Sequence, residues 1–252
     1  MAGLVAVIYG VIAYGVTLVS LLYLVGFMGN LIVPKSVDSG MAGPLLPSVI
    51  IDIMLIGLFT IQHSVMARQG FKRWWARFVP PMVERSTYVL VTSLALMLLY
   101  WQWRPIPTLV WAAREPIAVA ALDGIFWLGW FVLVASTFLL SHFEMFGLSQ
   151  VFARLFGKAQ PEPKFRAPLF YRRVRHPIQL GVLLAVWATP TMTVGHLLFS
   201  VVTTGYILVG IQLEERDLVQ QFGDQYRNYR RQAAMLVPLP GRKFVDPKDV
   251  KL

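Results

Sequence analysis

The sequence predicts an all-α, polytopic integral membrane protein with five to six transmembrane helices. Three observations carry this prediction: 56% of the 252 residues are hydrophobic, the mean hydropathy is +0.60, and only 14% of the residues are charged. Long apolar runs also recur along the chain, and a helix that crosses a bilayer needs about 20 such residues. One membrane domain therefore describes the composition better than two soluble domains.

Six apolar segments are candidates for the spanning helices. They cover residues 4–33, 45–66, 88–103, 117–140, 178 to the break at Thr189-Pro190-Thr191, and 196–213. The last two are expected to form a helical hairpin, whose short first arm crosses only part of the bilayer or leans on its neighbours. A polar cytoplasmic helix follows. We therefore expect an N-terminal four-helix region, residues 1–140, and a second region, residues 141–252, within a single structural unit.

Positive charge is concentrated on alternate loops. All but Lys35, Arg104 and Arg114 of the 23 Lys and Arg residues lie in segments 68–85 and 141–175 or in the C-terminal tail. Because basic loops are retained in the cytoplasm, this pattern predicts that both termini are cytoplasmic. The net charge of +10 is expected to face anionic lipid headgroups, since a basic nucleic-acid-binding protein would not carry repeated long apolar runs.

Cysteine is absent from the chain, which excludes disulfides, thiolate metal ligands and a cysteine-linked covalent intermediate. The four histidines are widely separated, and none belongs to a close His/carboxylate pattern, so no metal site is expected. His196 lies on the opposite side from the basic loops and is expected to have a structural role. Trp101, Trp103 and Trp111 lie on that same side and are expected to anchor the protein at the membrane interface.

An Arg175-His176-Pro177 turn precedes the fifth apolar segment. Proline suits the first turn of a helix, where its missing N–H costs nothing. The N-terminus of that helix offers free backbone N–H groups and a partial positive charge to an anion. Gly181, one turn further in, permits the close approach of a ligand or of a neighbouring helix.

An acidic pair, Glu214-Glu215, ends the sixth apolar segment at the same membrane face. Neighbouring residues on a helix point about 100° apart, so one carboxylate is expected to face a ligand and the other to hold Arg175 or an arginine of the tail. Alone, each motif is also typical of headgroup contact or charge balance at a membrane boundary. Their combination across one hairpin favours a ligand-binding site.

These motifs resemble a known superfamily. Arg-His-Pro-x-x-x-Gly, the Glu-Glu pair and the segment Phe222–Tyr229 are similar to the isoprenylcysteine carboxyl methyltransferase and phospholipid N-methyltransferase superfamily of membrane enzymes over the C-terminal third. Within it the chain looks most like the bacterial methanethiol S-methyltransferases, which are related to the NnrU family. That similarity extends over nearly the whole chain through residues 30–36, 62–68 and 141–148.

The resemblance implies a helical pocket for S-adenosylmethionine (SAM) in residues 141–252, closed by the C-terminal segment, with the substrate side in residues 1–140. By motif position the pocket would be lined by Phe165, Arg166, Tyr171, His176, Pro177, Ile178, Gln179 and Glu214. Arg175, Gly181 and Glu215 complete the candidate set. Tyr226 is expected either to cap the adenine ring or to pack within an amphipathic helix. Residues 157–168, which are rich in Pro and Lys, are expected to form a loop that orders on binding.

Two positions depart from the superfamily pattern. Gln179 stands where tyrosine is common, which keeps a hydrogen-bonding group but removes a stacking ring. The substrate-binding arginine ahead of the acidic pair is missing, with Gly210 near its place. An acceptor that carries a carboxylate, such as a prenylcysteine, is therefore disfavoured.

The implied reaction is S-methylation of a small volatile thiol by direct in-line transfer: methanethiol to dimethyl sulfide, with hydrogen sulfide to methanethiol also open. A thiol reacts as its thiolate, and His63 or His142 is the candidate general base. His63 has an alternative role in hydrogen-bonded packing. The positive sulfonium of SAM offers a further alternative, in which no base is needed.

Other functions remain open at this point. The acceptor could instead be a lipid headgroup or a prenylcysteine-like group, or the chain could be a non-catalytic NnrU-like accessory or transport protein. A transporter would be expected to carry paired polar residues at mid-membrane, whereas the charges here gather at one mouth. We expect the bacterial cytoplasmic (inner) membrane as the location, membrane lipids and a small apolar thiol as partners, and no nucleic acid or obligate protein partner.

Overall fold

The structure, a computed structural model, describes residues 2–159 and 165–245. Helices dominate it, with one 3-10 turn and one small sheet. In chain order the helices are α1 (Ala2–Gly29), α2 (Leu45–Ala67), α3 (Gln69–Trp75), α4 (Pro81–Gln102), α5 (Pro116–Leu140), α6 (His142–Met145), α7 (Leu148–Leu155), α8 (Pro177–Trp187), α9 (Val194–Phe222) and α10 (Asp224–Gln232). The 3-10 turn covers Leu169–Arg172, and the strands are β1 (Leu109–Ala112) and β2 (Thr191–Thr193).

Five of these helices, α1, α2, α4, α5 and α9, are long and apolar enough to cross a membrane. The chain is therefore a multi-pass, all-α membrane protein, as the sequence predicts. Helix α8 has 11 residues, which span about 16 Å at 1.5 Å per residue. A hydrocarbon core of about 30 Å is almost twice that length, so the fifth apolar segment is short, as expected.

The described residues pack as two compact units. Unit 1 comprises the described residues of Met1–Arg114, His142–Glu162 and Pro190–Val202. Unit 2 comprises those of Glu115–Ser141, Pro163–Thr189 and Thr203–Leu252. The functional division of the chain at residues 140 and 141 stays a prediction.

In unit 1, helix α4 packs against both α1 and α2. Hydroxyl groups join α1 to α4 within this apolar packing: Tyr9 Oη donates to Thr87 Oγ1 at 3.0 Å, and Ser93 Oγ donates to Thr17 Oγ1 at 2.9 Å. Such hydrogen bonds between helices satisfy polar groups that lipid cannot satisfy. They fix how α1 and α4 are oriented toward each other.

The loop after α1 is tied to the start of α9 through Asp38. Its carboxylate accepts hydrogen bonds from the Thr193 hydroxyl and from Asn30 Nδ2, the latter at 2.7 Å, and His196 Nδ1 lies 3.7 Å away. Burial raises the pKa of Asp38, but the contacts with His196, Thr193 and Asn30 outweigh it and hold this pKa below its usual range. The backbone N–H of His196 also donates to Thr193 Oγ1 at 3.1 Å. His196 is thus part of the contacts that tie the loop after α1 to the start of α9.

Trp103 differs from the predicted interfacial anchor. Its side chain is fully buried, donates to the Val37 carbonyl at 2.9 Å, and meets the rings of Phe27 and Phe199 edge-on. The anchoring prediction for Trp103 was wrong, because the loop after α1 folds back over this indole. Trp101 is 71% exposed, as an anchor should be.

A two-stranded antiparallel sheet joins β1 to β2 and was not anticipated. Leu109 pairs with Thr193 and Ala112 with Thr191, with an irregularity between Leu109 and Trp111. The backbone N–H of Ala113 continues the pairing by donating to the Pro190 carbonyl at 2.8 Å. The sheet satisfies backbone groups in the break between the two apolar segments.

In unit 2, α5 packs along α8, and two glycines set how closely they approach. A Cβ atom on Gly181 would lie 2.6 Å from the Gly129 carbonyl oxygen, and one on Gly129 would lie 2.6 Å from that of Gly181. Helix α8 also packs against α9, where Ile207 and Ile211 form a buried cluster with side chains of α8 and with Leu236. The predicted helical hairpin is present.

Candidate functional site

Helix α8 begins at Pro177, directly after His176, which is its N-cap residue with φ −124° and ψ 62°. The fixed φ of proline suits this first helical position. Within the part of the chain that the structure describes, no side chain caps this end of the helix. Pro177 has no N–H, and the N–H of Leu180 donates to the His176 carbonyl at 3.0 Å. The N–H groups of Ile178 and Gln179 are the two in this first turn that lack an acceptor within the helix, and they lie at the positive end of its dipole.

Glu215 on α9 lies at the centre of a buried charge cluster. Its Oε1 accepts from Arg175 Nε at 2.7 Å and lies 3.1 Å from His176 Nε2, and its Oε2 lies 3.1 Å from Arg230 Nε. The Glu215 side chain is only 4% exposed. Both carboxylate oxygens are thus used by basic groups of the protein, which is what keeps a buried charge tolerable.

Glu214 lies in a different environment, with 46% of its side chain exposed. Gln179 Nε2 donates to its Oε2 at 3.2 Å, and His176 Nδ1 lies 3.7 Å from the same oxygen. The carboxylate is oriented by α8 while it remains accessible. The two members of the acidic pair therefore differ: Glu215 holds Arg175 and Arg230, whereas the Glu214 carboxylate is partly exposed. The contact of Glu214 with a ligand stays a prediction.

The segment after α10 docks beside the turn that precedes α8. The backbone N–H groups of Arg175 and His176 donate to the carbonyls of Ala234 and Met235, at 2.8 and 3.2 Å. Arg175 Nη1 donates to the carbonyls of Arg230, at 3.1 Å, and Ala233. One guanidinium thus binds both Glu215 and the end of α10, so the charge cluster and the docked segment hold each other in place.

An aromatic cluster supports this end of unit 2. Tyr226, Tyr229, Ala233 and Phe244 are buried together, with Phe165, Ala167, Leu218, Val219 and Phe222 packed against them. Burial raises the pKa of the Tyr226 hydroxyl, and the charges of Glu215 and Glu214 raise it further, so this tyrosine stays neutral. Tyr229 Oη donates to the Tyr171 carbonyl at 2.6 Å, which joins α10 to the 3-10 turn.

The structure brings most of the predicted site residues to one end of the α8–α9 hairpin. Those in the charge cluster or beside it are Arg175, His176, Pro177, Ile178, Gln179, Glu214 and Glu215. Phe165, Tyr171 and Tyr226 lie in or against the aromatic cluster, and Tyr226 is only 2% exposed. Gly181 faces α5, so the close approach of a neighbouring helix is the role seen for it. Arg166 is exposed, and residues 160–164 of the expected binding loop lie outside the described residues.

The two candidate bases lie in unit 1. His63 on α2 is hydrogen-bonded to Tyr88 Oη, which lies 3.0 Å from its Nδ1, and Thr92 Oγ1 lies 3.5 Å from the same nitrogen. His142, the first residue of α6, lies with its Nε2 2.9 Å from Tyr14 Oη. Burial lowers the pKa of His142, which favours its neutral form.

Arg230 is a partner of Glu215 that was predicted only as an unspecified arginine of the tail. The helical spacing of the buried residues indicates where it lies. Tyr226 and Tyr229 form the buried face of α10, and Ala233 is its C-cap residue. Arg230 lies four residues after Tyr226, about 40° from it around the helix, which places it at the edge of that face. The contact between Arg175 and the carbonyls that end α10 has no comparable signal in the sequence.

Comparison with known proteins gives the chain its family. No protein-family model matches it, and no solved structure matches it. A methanethiol S-methyltransferase of Mycobacterium tuberculosis is 56% identical over 236 residues, which cover 94% of this chain and 97% of that protein. Methanethiol S-methyltransferase 1 of Bradyrhizobium diazoefficiens is 52% identical, over 93% of this chain and 82% of the relative. Nurim of Mus musculus is more distant, at 32% identity over 69% of each chain. With about half or more of the residues identical to two such enzymes over almost the whole length, the chain belongs to the methanethiol S-methyltransferase family of membrane enzymes.

Proposed function

We propose that the protein transfers a methyl group from SAM to methanethiol and releases dimethyl sulfide. The observation that carries this proposal is the accessible Glu214, 3.7 Å from the buried His176 at the uncapped start of α8, in a chain whose relatives are named for methanethiol methylation. The anion-binding helix end and the cation-binding carboxylate adjoin each other. A zwitterionic ligand matches that pair.

The residues present fit the methionine end of SAM, which carries a carboxylate and an ammonium group. The first turn of α8 would hold the carboxylate through its backbone N–H groups. Glu214 would hold the ammonium group or a ribose hydroxyl, since its carboxylate is accessible and oriented by Gln179. Arg175 and Glu215 would fix the turn that presents His176 and Pro177, because their charges are already paired.

When bound, SAM supplies a methyl group on a positively charged sulfur. The residues of the chain would bind, orient and shield the reactants. A sulfonium and a thiolate give neutral products, so charge disappears as the reaction proceeds. A site shielded from water favours such a change over separated, solvated ions, and the apolar helices would supply that shielding.

We propose His63 as the group that accepts the thiol proton, with His142 as the alternative. His63 is hydrogen-bonded to the Tyr88 hydroxyl, with the Thr92 hydroxyl at 3.5 Å. Hydroxyl groups orient an imidazole ring while leaving it able to take up a proton. His142 Nε2 lies 2.9 Å from the Tyr14 hydroxyl.

The proposed location is the bacterial inner membrane, with both termini and the SAM site in the cytoplasm. The asymmetry of the basic residues supports this orientation, since all but three of the 23 Lys and Arg residues lie in alternate loops and the tail. SAM is polar and would enter from the cytoplasm. An apolar thiol can enter from the bilayer.

The test is an assay of the purified full-length protein with SAM and methanethiol, in which dimethyl sulfide is measured in the headspace. We expect product formation that depends on both substrates. In the same assay His63→Gln should abolish most turnover while SAM binding, measured by calorimetry, is retained; His142→Gln serves as the comparison. A larger loss for His142→Gln would reverse the assignment of the base.

Two outcomes would contradict the proposal. SAM binding without dimethyl sulfide formation would remove the thiol assignment and favour a lipid-headgroup acceptor, which labelled SAM and extracted lipids would reveal. Absence of SAM binding in a folded protein would remove the cofactor assignment and favour an accessory role. The same assay with hydrogen sulfide in place of methanethiol tests whether the protein also methylates hydrogen sulfide to methanethiol.

A further inference from the structure

Helix α7 lies against the beginnings of two spanning helices. It packs on α1 and α4, and Val151, which is fully buried, fills the space beside Gly10 and Ser86. Leu155 at its end lies beside Gly3, near the start of α1. Helix α7 thus lies at the end of unit 1 where α1 and α4 begin, and lipid headgroups are expected at the ends of spanning helices.

The end of α7 is fixed by a Schellman motif. Gly157 has φ +64°, the left-handed conformation that glycine adopts without strain. The N–H of Lys158 donates to the Ala153 carbonyl at 2.8 Å, and the N–H of Gly157 donates to the Arg154 carbonyl at 3.3 Å. The backbone of Lys158 is thereby held in a defined position next to the last turn of the helix.

Aromatic and basic side chains leave this short element in different directions. The rings of Phe152 and Phe156 are stacked with their centroids 6.4 Å apart, although they are 38% and 67% exposed. Arg154 points about 200° from Phe152 around the helix and is exposed, as is Lys158. Uncovered aromatic rings opposite basic residues are typical of a helix that lies in the membrane interface.

The two basic side chains do not simply project into solvent. Arg154 and Lys158 line a surface depression together with Pro81 and Met82. Pro81 is the first residue of α4, so the depression adjoins the end of a spanning helix. Its lining combines two positive charges with apolar atoms, which matches a negatively charged group attached to an apolar body.

We propose that this depression binds the phosphate of an anionic glycerophospholipid. Arg154 and Lys158 would pair with the phosphate, Arg with two parallel hydrogen bonds and Lys as a point charge. Pro81 and Met82 would contact the glycerol region, and the acyl chains would follow the apolar surface of α4. The exposed Phe152 and Phe156 favour a lipid over a soluble phosphate, because they place the same element in the bilayer interface.

The experiment uses the full-length protein in nanodiscs of phosphatidylcholine, with or without phosphatidylglycerol, and native mass spectrometry of the lipids that remain bound. The wild type should retain phosphatidylglycerol in preference to phosphatidylcholine. Arg154→Gln with Lys158→Gln should lower that preference by about thirtyfold, since two charges that each attract anionic lipid are lost. Either single substitution should give a smaller loss.

The matched control is Arg73→Gln with Arg77→Gln. These residues form another exposed basic pair in unit 1, so the control removes the same charge without touching the depression, and it should keep the preference. An equal loss in both double variants, or no preference in the wild type, would overturn the proposal. Thermal unfolding in phosphatidylcholine, followed by tryptophan fluorescence, verifies that each variant is folded. The lipid assignment is tested further with the detergent-solubilised protein. If glycerophosphate raises its melting temperature as much as phosphatidylglycerol does, the depression is a site for soluble phosphate and the lipid assignment is overturned.

Discussion

Glu214 and Glu215 show how two neighbouring, identical residues acquire different roles. The step of about 100° between neighbours on a helix directs Glu215 into a cluster with Arg175, His176 and Arg230, and leaves Glu214 at the surface. The buried charge of the Glu215 carboxylate is stabilised by these partners within the protein. Glu214 has fewer such partners, so its carboxylate is the one that can exchange water for a ligand.

Substitution of each glutamate should therefore have a different effect. Glu215→Gln leaves Arg175 and Arg230 without their buried counter-charge, which should lower the free energy of unfolding by about 3–5 kcal/mol. Glu214→Gln should leave the melting temperature close to that of the wild type but weaken SAM binding by about tenfold or more, as expected for the loss of a charged hydrogen bond. Tryptophan fluorescence and calorimetry measure the two quantities separately.

Asp224→Asn is the control for this pair, because Asp224 pairs with Arg227 on the surface and its side chain is 89% exposed. Neither stability nor SAM binding should change appreciably, since exposed ion pairs contribute little. A wild-type melting temperature for Glu215→Gln would show that the buried cluster is not needed for stability. Unchanged SAM affinity for Glu214→Gln would refute its proposed role.

At the scale of elements, the placement of His176 depends on how closely α8 approaches α5. Only glycine fits at Gly129 and Gly181, because a Cβ atom at either position would collide with backbone atoms of the other helix. Helix α8 carries the Arg-His-Pro turn at its start, so a shift of this short helix would displace the turn. The position of the Arg-His-Pro turn thus depends on the contact between α5 and α8 within unit 2.

Gly129→Ala should lower the free energy of unfolding by about 1–3 kcal/mol, the usual cost of overpacking. Gly124→Ala is a matched control in the same helix, because nothing lies within 4 Å of a Cβ atom at Gly124. It should be neutral or raise stability by about 0.5–1 kcal/mol through better helix propensity. Thermal unfolding in detergent distinguishes the two, and equal melting temperatures would argue against close α5–α8 packing.

At the scale of the whole molecule, the absence of cysteine makes the topology directly testable. Met41→Cys introduces a thiol at an exposed position after α1, and Arg242→Cys introduces one in the tail. If both termini are cytoplasmic, a membrane-impermeant maleimide added to intact cells should label the first cysteine and not the second. Labelling after lysis verifies that both are reactive, and the reverse pattern in intact cells would indicate the opposite orientation.

Much of the molecule could be predicted from its sequence, because apolar length and motif spacing are local properties. The five spanning helices, the short α8 and the approach of Glu215 to Arg175 follow from such patterns. The burial of Trp103 and the β1–β2 sheet do not, because each depends on which distant segment folds back over it. The carbonyls that bind Arg175 could not be predicted either. Every residue has a backbone carbonyl, so the sequence does not indicate which carbonyl accepts a hydrogen bond.

The contacts of Arg175 have a consequence for biosynthesis. Its side chain and backbone bind residues 40 to 59 positions later in the chain, so these contacts cannot all form until the end of α10 has left the ribosome and its exit tunnel. All five spanning helices precede or include Glu215, and their insertion can therefore be almost complete before the charge cluster exists. A chain cut short before α10 would enter the membrane with Arg175 still lacking its partners from the tail. Completion of the polypeptide thus acts as the last step in assembling the site.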